Sequence, residues 1–260
     1  MELNFAPEYD RPISYIERTR SYYLALGYDN PYTWAHFTDV PFSHLQKPLH
    51  QMTLGLITTA VPYDPAKGDQ GQGSPYNSFA KFYEPYALPT SIDPDLRIAH
   101  VGIDRKHADM IDMACWFPIG AARKSVESKR IAKLASRFYG LPTNRSQRHT
   151  VEIDAPLILE MCRVDHVDAV LLIPNCPICH QSISLLARYL ENANIPTVII
   201  GAAKDIVEYC GVPRFLFNDF PLGNAAARPH DENSQASIFE LALKLLENAP
   251  GPRTTIQSNL

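Results

Sequence analysis

Residues 167–194 read VDAVLLIPNCPICHQSISLLARYLENAN, and the order of residue types within them decides the fold. Val167 to Ile173 form a short apolar run rich in Leu and β-branched residues, the pattern of a strand covered on both faces. From about Gln181 to Asn192, Ile183, Leu186, Ala187 and Leu190 recur at helical intervals, which predicts a helix. Between them lies Cys176-Pro177-Ile178-Cys179-His180, a pair of thiols on the turn from strand to helix. Free N–H groups and the positive end of the helix dipole stabilise an anion there and lower the pKa of a thiol. The thiolate is the nucleophilic form, so Cys176 is the candidate nucleophile and Cys179 its resolving partner.

Other chemistries use two cysteines at this spacing. A zinc site needs a second CxxC or an HxxxH, and neither occurs. The CxxCH string also attaches c-type haem, a chemistry expected outside the cytoplasm. A glutaredoxin-like pair follows the first strand of a small domain, whereas this pair follows a late strand of a larger one. Two buried, inert thiols are the plainest alternative.

Outward from this unit the chain alternates strand and helix signals. Gln51–Val61 reads as the first strand, Leu96–Ile103 as the second, and Pro196–Ala202 and Phe215–Phe217 as later ones. Helices are expected from near Gly120, from about Ala155 to Cys162, from Lys204 to Tyr209 with Gly211 as the stop, and from Ser237 to Asn248. Ile131–Tyr139 fits either a helix end or a short strand, and a polar tail closes the chain. The pattern predicts an α/β fold, a parallel Rossmann- or flavodoxin-like sheet covered by helices. Residues 1–50 read as an N-terminal arm, with a helix at about Ile13–Leu26 and then an aromatic, Pro-rich stretch. Residues 51–260 form the α/β body. Within the body, 62–95 is a long Pro/Gly/Ser/Tyr-rich loop, expected to act as a lid or a subunit contact.

In such folds ligands bind outside the C-terminal ends of the strands. The segments that follow strands (59–61, 104–112, 144–147, 176–180, 202–204 and 221–224) therefore converge on one expected site. On those segments His107 and Asp104 are candidates for a general acid and its orienting carboxylate, and His180 is a second candidate acid. Asn144 and Arg145 offer a clamp for a substrate carboxylate, since the guanidinium fork matches one. Asp112 and Asn224 complete the candidate substrate-binding set. Cys115, Cys162 and Cys210 read as core residues.

The chain has 260 residues, 45% hydrophobic and 20% charged, with a net charge of −4 and no basic stripe, which argues against nucleic-acid and anionic-membrane partners. No apolar run is long enough to span a bilayer, and the first residues are acidic and polar rather than a signal peptide. Five cysteines, an odd number, fit free thiols in a reducing compartment, so a cytoplasmic location is expected. No nucleotide fingerprint is present: GDQGQGSP follows no strand directly. No metal or organic cofactor is expected.

The CxxC unit resembles that of the glycine/sarcosine/betaine/D-proline reductase component B family. The hallmark there is a VDAVLL-type strand, a Cys-or-selenocysteine-x-x-Cys turn, a helix and an IPT-V strand. Here it stands as VDAVLLIPNCPICHQSISLLARYLENANIPTVII. The opening KPLHQMTLGLITTA, the D-x-x-x-x-F-P element from Asp112 to Pro118 and the late Pro221-Leu222-Gly223-Asn224 echo the same family. The resemblance covers roughly residues 45–230 and is loose away from the turn; residues 1–44 have no such match. It implies that the first position, often selenocysteine, attacks a substrate carbon during reductive cleavage of a C–N bond, and that the second cysteine then closes a selenide–sulfide bond. It also implies a pyruvoyl-bearing partner subunit that binds the amino-acid substrate and a thioredoxin-type reductant. By position, Cys176 stands where selenocysteine would be and Cys179 where the resolving cysteine would be. Two departures bear on the substrate: a cysteine thiol ionises near pH 8.5, well above a selenol, and Pro177-Ile178 narrow a turn where the family tends to small residues.

The resulting expectation is a thiol-dependent reductase that cleaves a carbon–heteroatom bond of a small, carboxylated molecule, with an external thiol as reductant, a partner subunit and a homo-oligomeric assembly. A dithiol–disulfide oxidoreductase or thiol lyase is the alternative enzyme. A ligand- or metal-binding accessory subunit is the alternative of another class.

Overall fold

The computed structural model describes residues 11–29, 32–63, 84–98, 102–143 and 145–259. Its elements in chain order are α1 (Tyr15–Ala25), β1 (Thr53–Thr58), β2 (Val61–Pro62), β3 (Tyr86–Pro89), β4 (Leu96–Arg97), α2 (Ile119–Glu127), β5 (Lys133–Leu134), β6 (Arg137–Gly140), α3 (Gln147–His149), α4 (Ala155–Val164), β7 (Ala169–Ile173), α5 (Pro177–Asn192), β8 (Thr197–Gly201), α6 (Lys204–Cys210), β9 (Arg214–Phe217), α7 (Glu232–Asn248) and β10 (Thr254–Gln257). A π-helical turn, Thr150–Asp154, joins α3 to α4.

The central sheet has the order β10-β9-β8-β7-β1-β6-β3, with β5 pairing β1 as well. All of its pairings are parallel except that of β3, an antiparallel edge strand on β6. Counted along the chain, the long parallel strands run 2-1-3-4-5-6, the flavodoxin-like order, and the order reverses between β1 and β7. Strands β1, β7 and β8 are buried at every position, as apolar runs covered on both faces require. Alternate residues feed two cores. Leu54, Leu56, Leu171, Val198 and Leu216 pack with α2 and α7. Ile57, Val170, Leu172, Ile199 and Phe215 pack with α4 and α5 on the other face. The result is helix–sheet–helix, the α/β arrangement expected.

Several expected boundaries move. Leu96–Ile103 does not supply the second parallel strand. Among its described residues Leu96–Arg97 is extended, and it pairs antiparallel with Val61–Pro62 in a ribbon outside the main sheet. Proline at 62 has no N–H to donate, which suits so short an edge pairing. The strand beside β1 is instead β6, from the stretch 131–139 that sequence left open between helix and strand. β1 ends at Thr58, three residues before the expected end. α5 begins at Pro177, a favoured first helical residue, rather than at Gln181. α7 begins at Glu232, because Asp231 caps the N–H groups of Asn233 and Ser234. Part of the segment 62–95 is strand, β3, while 64–83 lie outside the described residues. The polar tail contains β10, which joins the sheet beside β9.

The arm packs along α5. Ala35 N–H donates to Gln181 Oε1 (2.7 Å), Arg188 donates to the carbonyl of Asp39 (2.8 Å), and Ser43 N–H donates to Glu191 Oε2 (2.5 Å). Glu191 in turn pairs with buried Arg214 at the start of β9 (2.9 Å).

Candidate functional site

The sheet order places the cysteine turn. β1 and β7 are the neighbours whose connections leave in opposite directions, and a crevice opens at their C-terminal ends. There Thr59, just past β1, and Asn175, just past β7, join the two strand ends: Thr59 Oγ1 donates to Asn175 Oδ1 (2.9 Å) and accepts from Asn175 N–H (3.0 Å). The next residue is Cys176, the N-cap of α5, whose Sγ accepts the N–H of Cys179 (3.2 Å). Cys179 Sγ lies 3.3 Å from Thr143 Oγ1, from the segment after β6. Both cysteines are free thiols, Cys176 4% exposed and Cys179 fully buried.

The helix N-terminus thus reaches Cys176 as expected, but it does not prevail. Burial is the largest influence on this thiol and pushes its pKa well up, and the neighbouring Cys179 adds to the rise. The N–H groups of Cys179 and Ile178 oppose it with less effect. In this closed arrangement burial works against the thiolate that the helix N-terminus alone would favour.

His180 is a bracket. Its ring is fully buried; Nδ1 donates to the carbonyl of Cys176 (2.7 Å), and Nε2 accepts the N–H groups of Ala202 (3.0 Å) and Ala203 (3.2 Å). That arrangement fixes one neutral tautomer, and burial lowers the pKa to about 4. The expectation of His180 as an acid is corrected: both ring nitrogens hold backbone. Gly201 makes the approach possible, since a Cβ there would lie 2.8 Å from His180 Nε2.

The segments from the other strand ends gather around the turn. A Cβ on Gly102 would meet Pro177 Cδ at 2.9 Å, so the loop of residues 102–112 lies against the first residue of α5. In that loop His107 Nδ1 and Asp104 Oδ2 are 2.9 Å apart, the pairing expected, on an exposed rim. Partial burial pushes the Asp104 carboxyl up, but the side chain and N–H of His107 and the N–H of Lys106 hold it below its ordinary value. Asp112 caps the short turn 113–115 and accepts from His230 N–H (2.6 Å) and Gln235 Nε2 (2.9 Å). Asn224 accepts from Asp109 N–H (2.6 Å) and donates to the carbonyl of Asp109 and to Cys115 Sγ. These two side chains tie loops together, so the structure gives them a supporting place at the rim. Arg145 is exposed, its guanidinium 5.8 Å from the ring centre of Tyr23 on α1; Asn144 lies outside the described residues. Cys115, Cys162 and Cys210 are buried, and burial pushes all three thiols up, Cys162 and Cys210 to about 12. Among the described residues no group of three or more His, Cys, Asp or Glu is arranged to hold a metal ion.

Sequence reasoning did not single out Thr143 or Asn175, and it took Thr59 only as part of the strand-following segment 59–61. The signal available was their place immediately after a strand. The structure packs Trp34 with Ile206 and Ala203 and seats Ile178, the residue between the thiols, against the same cluster.

No family model matches the chain, and no solved structure matches it. It is 29% identical over 205 residues to the D-proline reductase subunit gamma of Acetoanaerobium sticklandii, covering 78% of this chain and 82% of that one. It is 24% identical over 210 residues to the glycine reductase complex component B subunit gamma of Symbiobacterium thermophilum, covering 80% of this chain and 48% of the relative, so the match spans about half of that protein. No helix among the described residues is long and apolar enough to cross a membrane. A helix-covered parallel sheet with two thiols at its reversal point is thus homologous to subunits of reductase complexes.

Proposed function

We propose that this chain is a redox-active subunit of a reductase complex, and that Cys176 and Cys179 reductively cleave a carbon–heteroatom bond of a small, carboxylated substrate. The observation that carries the reading is the position of the dithiol, at the reversal point of the sheet with one thiol capping a 16-residue helix. The relatives add the reductase role; D-proline and glycine are the compounds in their names. Cys176 occupies the position that the resemblance gives to selenocysteine.

The chemistry balances in two displacements. Cys176 Sγ, on losing its proton, bonds to the substrate carbon as the carbon–heteroatom bond breaks, and the heteroatom leaves with a proton. Cys179 Sγ then attacks Cys176 Sγ; the S–S bond forms, the S–C bond breaks, and the carbon takes up a proton. The substrate gains two electrons and the dithiol becomes a disulfide. A thioredoxin-type dithiol restores the pair. Arg145 is the described candidate for the substrate carboxylate, and His107 with Asp104 for proton delivery at the rim. The reading places the protein in the cytoplasm, where thiols are kept reduced.

The burial of both thiols favours a second reading, in which the pair is structural and a partner subunit carries the chemistry. Single-turnover assays with the reduced protein and its co-purified partners, offering D-proline and glycine, separate the two. The redox reading expects one disulfide formed per product released, no product from Cys176→Ser, and a substrate-derived mass trapped on Cys176 in Cys179→Ser. Unchanged turnover in the Cys176→Ser, Cys179→Ser double variant would sink it.

A further inference from the structure

The C-terminal end of β1 holds both sides of the cysteine turn. The carbonyl of Thr58 accepts Leu141 N–H (2.9 Å), which fixes the segment that runs on through Pro142 to Thr143. The next residue, Thr59, is bonded to Asn175, the residue before Cys176. Thr143 and the dithiol are thus set against each other by neighbouring residues of one strand end, and Thr143 Oγ1 lies 3.3 Å from Cys179 Sγ. Proline at 142 fixes its own φ and restricts Leu141, so the hydroxyl is presented from a stiff segment.

The two sulfurs are served by different donors. Cys176 Sγ caps α5 and draws on the helix N-terminus through the N–H groups of Cys179 (3.2 Å) and Ile178. Cys179 lies three residues on, with its own N–H taken by Cys176, and its side chain is fully buried in an apolar cluster. A buried sulfur carries negative charge readily only where a donor meets it. A hydroxyl suits both states, because it rotates to accept from a thiol or to donate to a thiolate. Charge on Cys179 also opposes charge on Cys176. Ionisation of Cys179 is therefore easiest once Cys176 has bonded to carbon and lost its own charge, which is the step in which Cys179 acts as nucleophile.

We propose that Thr143 is a catalytic residue of that resolving step: its hydroxyl donates to Cys179 Sγ and holds the sulfur as the thiolate that attacks Cys176. The proposal deepens the redox reading and rests on it for its purpose. Cys179 gives up its proton, the S–S bond forms, the S–C bond breaks and the released carbon takes up a proton. Thr143 keeps its hydrogen throughout. The plain alternative is a thiol that donates to Thr143 Oγ1 and never ionises.

Cys176→Ser isolates Cys179 for the test. Serine keeps the helix cap and, like the substrate-bonded sulfur, carries no charge. The ultraviolet thiolate absorbance of reduced Cys176→Ser is titrated with pH. The Cys176→Ser, Cys179→Ser protein is the blank, so that the tyrosines and the remaining cysteines cancel, and circular dichroism of the same samples marks unfolding. One thiolate should appear before the chain unfolds. Adding Thr143→Val should raise its midpoint by about one pH unit, as loss of a hydrogen bond to a charged group implies, and Thr143→Ser in its place should restore it. In chains that keep both cysteines, single turnover with D-proline and glycine should load Cys176 at the parent rate in Thr143→Val. The disulfide should then close about threefold more slowly, since a tenfold smaller thiolate fraction is partly offset by a more nucleophilic sulfur. Absence of a Cys179 thiolate below the unfolding pH, an unmoved midpoint in Thr143→Val, or no recovery with serine overturns the proposal. A shifted midpoint with disulfide closure at the parent rate overturns it too. Absence of the Cys176 adduct in the parent, or turnover without either cysteine, counts against the redox reading instead, and the titration, which uses no substrate, still decides whether the hydroxyl favours the thiolate.

Discussion

At His180 the buried imidazole makes a measurable promise about pH. The folded pKa is about 4, whereas the unfolded chain returns it to about 6.5. Between those values the unfolded state binds more protons, so stability is full above about pH 6.5 and falls as pH drops toward 4. A shift of that size corresponds to about 3 kcal/mol. Urea unfolding at pH 7 and at pH 4.5 should show this loss in the parent. His180→Gln, although less stable at both, should lose less across the same interval. Equal losses would mean that His180 is not the titrating group. Cys176 carries a second residue-scale expectation. With its pKa raised by burial, alkylation of the closed protein near neutral pH should be slower at Cys176 than for a free cysteine peptide. A fast reaction persisting well below pH 8 would show instead that the helix N-terminus outweighs burial.

At the scale of elements, α5 is buried on nearly every side, and its polar residues serve the arm. Glu191 and Arg214 form a pair 0% and 1% exposed at the side chain, which also holds Ser43 and Thr197. Burial pushes the Glu191 carboxyl up and the Arg214 guanidinium down, each against the attraction of the other, so desolvation offsets much of what the contact contributes. Removing one partner is worse than removing both, because the survivor stays buried and unpaired. Glu191→Ala should destabilise by about 3–5 kcal/mol, and the Glu191→Leu, Arg214→Met double variant should recover a large part of that. Guanidinium unfolding of the three proteins checks this. Additive losses would mean that the two groups are not coupled.

Over the whole molecule, β10 closes the sheet edge beside β9, whose Phe215 and Phe217 are fully buried. Truncation after Asn248 would open four residues of β9 to pairing with another chain. Sedimentation velocity should then show self-association beyond that of the full chain. A truncated chain that sediments like its parent would mean that the edge is protected by something other than β10.

The apolar runs at 53–58, 169–173 and 197–201, spaced by helical stretches, were enough in the sequence to specify a helix-covered parallel sheet. A run of that kind can bury both faces only there. The strand-to-helix position of Cys176 and Cys179 followed from the same local pattern. Strand order did not follow. β6 and β10 are four-residue strands with a mixed or polar pattern, recruited by pairing with neighbours far away in sequence. Leu96–Arg97 was diverted outside the main sheet by its partner at 61–62. Charge state was likewise decided only in the tertiary structure. A local reading places Cys176 on a helix dipole and His180 beside it, but burial acts through groups brought from residues 102, 143 and 202. That burial raises the pKa of the thiol and lowers that of the imidazole.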